Sequence, residues 1–151
     1  MKQNREDIPF EYAHCFATDG RCPQRSGCLH ALITELPMKT SQYASNIITA
    51  IDPRYIASLH GKGGCTFYRS SDLKRYACGM SRMFDAVPRR IVSEVRRCVQ
   101  NCFTCRSYYF ASRKGKRLIS PAEQAEIASV FRALCPELRP IYDSFEERYE
   151  W

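Results

Sequence analysis

Cys15, Cys22 and Cys28 fall within fourteen residues of a segment rich in Gly and polar side chains, and Cys65 directly follows Gly63-Gly64. A segment so poor in apolar residues has little material for a core, so its thiols are its strongest means of specifying a structure. Four thiolates converging from loops form a tetrahedral site for Zn²⁺ or the corner ligands of an iron–sulfur cluster. The binding free energy of such a metal becomes folding free energy. Cys15, Cys22, Cys28 and Cys65 are therefore the expected metal ligands. Their gaps of six, five and thirty-six residues contain no Cys-x-x-Cys knuckle. Zn²⁺ and a 4Fe–4S cluster are equally compatible with that spacing. His14, His30 and His60 each lie within five residues of one of these cysteines; one of them could replace a Cys in the set, but they are read first as neighbours or outer donors.

Cys98, Cys102 and Cys105 share the bare Cys-x3-Cys-x2-Cys spacing of radical-SAM enzymes, but only 46 residues follow Cys105, too few for the partial barrel that chemistry uses. Positions i, i+4 and i+7 also mark one face of a helix, so packing explains these three. Cys78 and Cys135 are isolated and read as packed thiols. No Gly-x-Ser-x-Gly elbow, Walker loop or dinucleotide fingerprint occurs, so no catalytic residue is assigned.

The remaining pattern predicts a single α+β domain over 1–151, with a cysteine-loop half (1–68), a basic helix–hairpin–helix half (69–140) and a tail (141–151). Residues 1–12 read as an extended lead-in. Cys28 to Leu36 is helix-compatible. Asn46 to Ile51 is β-branched and reads as a strand stopped by Asp52-Pro53, and Thr66 to Tyr68 as a short strand. Tyr76, Met80, Met83, Phe84 and Val87 form a helical stripe over Asp72 to Val87. Pro88 opens a second helix through Cys102. Ser107 to Phe110 and Arg117 to Ile119 read as the arms of a hairpin. Ser120-Pro121-Ala122-Glu123 has the form of a capping box, opening a helix from Pro121 to Leu134. In the tail, Tyr142, Phe145, Tyr149 and Trp151 are too apolar for a free acidic arm and are expected to dock.

Charge is distributed unevenly. The formal net charge is +7, yet residues 69–117 alone hold thirteen basic and three acidic residues. Such asymmetry points to an anionic partner. Arg113, Lys114, Lys116 and Arg117 crowd the hairpin tip at Gly115, with Arg106 and Tyr109 just before it. Cations that track phosphates beside an aromatic that stacks on bases are the marks of nucleic-acid binding. An acidic protein is the alternative partner.

No stretch approaches the roughly 18 apolar residues of a membrane span. The first residues lack a secretory apolar core. A cytoplasmic location with reduced thiols is the expectation.

The chain also resembles a family of uncharacterised bacterial proteins of similar length, mainly from anaerobic gut lineages, grouped as a domain of unknown function. The resemblance rests on Tyr12-Ala13-His14-Cys15, Cys22-Pro23, Cys28-Leu29, Gly64-Cys65 with Phe67-Tyr68-Arg69, Phe84-Asp85 with Val87-Pro88, Tyr108-Tyr109, Leu118 with Ser120 to Gln124, and Trp151. It implies that Cys15, Cys22, Cys28 and Cys65 belong to one pattern and that the other five cysteines lie outside it. It implies no activity. The expected function is a small metal-stabilised binding protein for an anionic partner, with nucleic acid preferred. The alternatives are an iron–sulfur enzyme or redox protein, and a protein–protein adaptor with a structural zinc.

Overall fold

A computed structural model of the chain describes residues 8–9, 11–36 and 47–151. They fall into two compact units, one formed by the chain up to Asp72 together with Tyr149–Trp151 and the other by Leu73–Arg148. The described residues form five α-helices and a two-stranded antiparallel sheet, an α+β composition.

In the first unit, α1 spans Leu29–Glu35, close to the expected helix, and is entered from Cys28 in an extended conformation. The expected strand from Asn46 is not formed over its described part. Asn46 lies outside the described residues, and the described stretch from 47 to 51 forms an isolated parallel bridge between Ala50 and His14 in place of a strand. Asp52-Pro53 proves to be a helix start. The Asp52 carboxylate accepts the Arg54 amide at 2.8 Å and Pro53 takes the first turn of α2, Pro53–Ser58. Thr66 to Tyr68 is a turn rather than a strand, closed by the Tyr68 amide donating to the Cys65 carbonyl at 3.1 Å.

Among the described residues, single backbone bonds rather than a sheet stitch this unit together. The Cys15 amide donates to the His30 carbonyl at 2.8 Å, Ile51 to His14 at 2.8 Å, Leu29 to Arg69 at 2.8 Å and Ser71 to Gly27 at 2.9 Å. Its apolar cluster is thin: Cys15, Ile51 and Ile56 are buried there, with Ala13, Ala17, Tyr55 and Cys65 against them. The Tyr12 ring stacks on His30 at 4.4 Å and meets Trp151 edge-on at 5.2 Å, so Trp151 docks as expected.

The second unit departs most from the sequence reading. The expected helix over Asp72 to Val87 is instead β1, Lys74–Cys78, followed by turns. β1 pairs antiparallel with β2, Ser144–Arg148, with Ala77 opposite Phe145. Gly79 ends β1 at φ 75°, a left-handed conformation that no helix passes through. The apolar stripe is real, because Met80, Met83, Phe84 and Val87 are all buried, but successive turns deliver them to the core. A Cβ at Gly79 would overlap the Asp143 carboxylate, which accepts from the Ser81 amide at 3.1 Å and the Ser81 hydroxyl at 2.6 Å. Gly79→Ala is therefore expected to destabilise this unit by at least the roughly 1–3 kcal/mol of a non-Gly residue held in left-handed backbone. A urea titration would show it, and an unchanged midpoint would mean the strand exit relaxes freely.

Helix α3 spans Val92–Asn101, beginning later than expected because Pro88 opens a turn. The expected hairpin does not exist. Its first arm is helix α4, Arg106–Arg113. Gly115, read as a hairpin tip, is the glycine of a Schellman motif at φ 70°. The Lys116 amide donates to Ala111 at 2.9 Å and the Gly115 amide to Ser112 at 3.0 Å, satisfying the helix's last carbonyls. Ile119 then bridges to Ala77.

Helix α5, Pro121–Leu134, starts as its sequence requires. Ser120 Oγ accepts the Glu123 amide at 3.2 Å and Glu123 accepts the Ser120 amide at 2.9 Å. α3, α4, α5 and β1 enclose a large core that includes Met80, Val95, Val99, Tyr109, Ile119, Ile127 and Phe131. Tyr142 packs against it, while Phe145 stays 42% exposed under the Arg75 guanidinium, 3.7 Å from its ring centre.

Candidate metal centre and basic surface

The four cysteines singled out by spacing line one small cavity of the first unit, of about 10 Å³. Cys15 reaches it from the segment tied to His30 and Ala50. Cys22 stands at a turn where its amide bonds to Thr18 at 3.0 Å and its carbonyl accepts from Arg25 at 3.2 Å. Cys28 lies between the 3₁₀ turn Arg25–Gly27 and α1. Cys65 follows Gly63 and Gly64, both at φ 77°. Its loop is pinned by the Tyr55 hydroxyl, 2.9 Å from both the Thr66 amide and the Thr66 hydroxyl. The rest of the wall is mostly apolar, including Ala17, Ala31, Ile51 and Ile56. Arg25 also borders it, held by the Ala17 carbonyl at 2.7 Å and the Glu35 carboxylate at 2.7 Å.

Burial pushes the Cys15 thiol up, and the charges that Cys28, Cys22 and Cys65 would carry push it the same way; the Ala17 backbone bond acts against them. Among the described residues, no three His, Cys, Asp or Glu side chains are already grouped at metal-ligand spacing. The four thiols thus share a cavity wall rather than a finished coordination sphere. None of the three histidines lines that wall. His30 Nδ1 donates to the Ala13 carbonyl at 2.6 Å, His14 is buried with its Nδ1 unpartnered, and His60 is exposed.

All nine cysteines are free thiols. The second set is split by structure. Cys98 and Cys102 lie at the end of α3, but the helix stops before Cys105, which is exposed and precedes α4. Burial, with the charges of Glu126, Cys98 and Glu123, pushes the Cys102 thiol from 9.0 up to about 11. Since only thiolate reacts, iodoacetamide at pH 8 is expected to alkylate Cys105 well before Cys102, as peptide mass mapping would show. The raised thiol also favours the protonated folded state, so this contribution to stability is complete below about pH 9 and declines as pH rises towards 11.

The basic residues need partial correction. Tyr109, expected to stack on a base, is 2% exposed in the core beside Phe103. Arg117 is also committed internally. It forms a two-point ion pair with Glu123 at 2.9 and 3.1 Å, donates to Ser112 Oγ at 3.1 Å and lies 4.6 Å over the Tyr108 ring. Arg106, Arg113, Lys114 and Lys116 have no ion-pair partner among the described residues, nor do Arg89, Arg90, Arg96 and Arg97. On α4 the exposed aromatics are Tyr108 and Phe110, with Arg106 5.4 Å over the Phe110 ring. Helical periodicity applied to 106–113 in place of strand alternation would have selected Phe110, since Arg106, Phe110, Arg113 and Lys114 then share one face.

One family model matches residues 1–151, a family of unknown function. The chain belongs to that family, DUF6078. Comparison with curated proteins and with solved structures gives no match. Membership of DUF6078 therefore names no reaction or partner, and the geometry of the chain carries the functional argument. No described helix is long and apolar enough to cross a membrane.

Proposed function

We propose that the chain is a small metal-stabilised binding protein whose basic unit holds a nucleic acid. The observation that supports this most is the segregation of charge. Leu73–Arg148 carries fifteen basic and eight acidic residues, whereas the other unit carries eight of each, so the whole +7 belongs to one unit. Eight of those cations have no ion-pair partner among the described residues, and Phe110 stands exposed on the helix face that carries Arg106, Arg113 and Lys114. Unpaired cations bind phosphates, and an aromatic ring beside them stacks on unpaired bases. Free thiols agree with a cytoplasmic setting, where a cysteine-bound metal persists.

The test is an anisotropy titration of the full chain at several salt concentrations on duplex DNA, single-stranded DNA and structured RNA. Binding is expected to weaken with a log–log slope of about −0.7 per phosphate contacted on single strands. Absence of binding above background at low salt on all three would remove the nucleic-acid reading and leave an acidic protein as the partner.

A further inference from the structure

We infer that the cavity between Cys15, Cys22, Cys28 and Cys65 takes a single tetrahedral ion, Zn²⁺, in a closed structural site, and not an iron–sulfur cluster. The inference rests on these four cysteines being the ligands and adds the identity and role of the metal. Size is the first argument. A cavity of about 10 Å³ has the room of one water-sized particle. One ion matches that room, whereas a cube of four irons and four sulfides is several times larger than it.

The donor set is the second argument. Four sulfurs with no His, Asp or Glu on the wall suit a four-thiolate zinc site, in which the four thiolates complete the tetrahedron without a water or substrate. The third is need. The ligands come from the 15–28 segment and the distant Cys65 turn, and the apolar cluster between them has only three buried residues among those described. An ion bridging both segments supplies what that cluster lacks.

The experiment uses the full chain, purified anaerobically without added metal and analysed for zinc, iron and acid-labile sulfide. A colourless protein with about one zinc per chain is expected. Cobalt added after chelation should give the absorption of a tetrahedral thiolate site. Cys65→Ser should lose most of the zinc and Cys98→Ser should retain it. If Cys65→Ser does not fold, an organomercurial that blocks thiols should release the single zinc from the unaltered chain. A brown protein containing iron and sulfide, lost in Cys65→Ser, would overturn the single-ion inference while leaving the four cysteines as ligands. A chain that retains no metal, takes up no cobalt and unfolds identically with and without chelator would overturn both.

Discussion

Tyr109→Ala is expected to lower the stability of the Leu73–Arg148 unit by about 3–5 kcal/mol, the usual cost of deleting a buried aromatic ring. A domain's whole stability is only about 5–15 kcal/mol, so the variant should lose a large fraction of it and melt well below the unaltered chain. The ring is 2% exposed, with Phe103 at 5.8 Å and Phe110 at 5.1 Å between centres. Its hydroxyl is buried without a hydrogen-bond partner among the described residues. Tyr109→Phe should consequently be neutral or stabilising, since it removes a desolvated polar group and leaves the packing intact. Urea unfolding of the two variants would decide the matter. A Tyr109→Ala protein with an unchanged midpoint but weakened nucleic-acid binding would return Tyr109 to the surface.

Replacing Arg106, Arg113, Lys114 and Lys116 together with Gln is expected to flatten the salt dependence of single-strand binding by roughly three units, at about 0.7 per lost phosphate contact. The loss should be similar across sequences, because phosphate contacts position a strand without reading it. Phe110→Ala should cost about 1–3 kcal/mol on single strands if its ring stacks on a base, and much less on duplex. Folding should survive the fourfold change, since none of these side chains has an ion-pair partner among the described residues. Arg117 must stay, because its pair with Glu123 braces the capping box of α5. An unchanged slope in the fourfold variant would move the phosphate contacts to Arg89, Arg90, Arg96 and Arg97.

Local rules that need no distant partner were legible in the sequence. Ser120, Pro121 and Glu123 encode the start of α5 by themselves, and the helix forms with those bounds. Where one pattern admits two backbones, the reading failed. Met80 to Val87 show helical spacing because turns can also present every third or fourth residue to a core. Gly115 fits a hairpin tip and a Schellman glycine equally well, and only burial of Tyr109 and Ser112 selects the helix. β2 carries no alternating pattern because all five of its residues are exposed. Its pairing with β1 therefore had no signal in the sequence. The cysteines were better placed for reading. In a segment with so little apolar material, few other residues compete to line a cavity, and all four line the same one.

The edge-on partner of the Tyr12 ring lies far along the chain. Tyr149–Trp151 belong to the first unit, yet residues 73–148 separate them from it in sequence. During vectorial synthesis the second unit emerges whole, with its own core, before the first can acquire Trp151. The first unit is thus completed only after residues 73–148 have been made, and its cysteine loops lack Trp151 until then. A metal captured early would hold those loops through that delay, and a shortage of metal would leave them exposed to oxidation while synthesis continues.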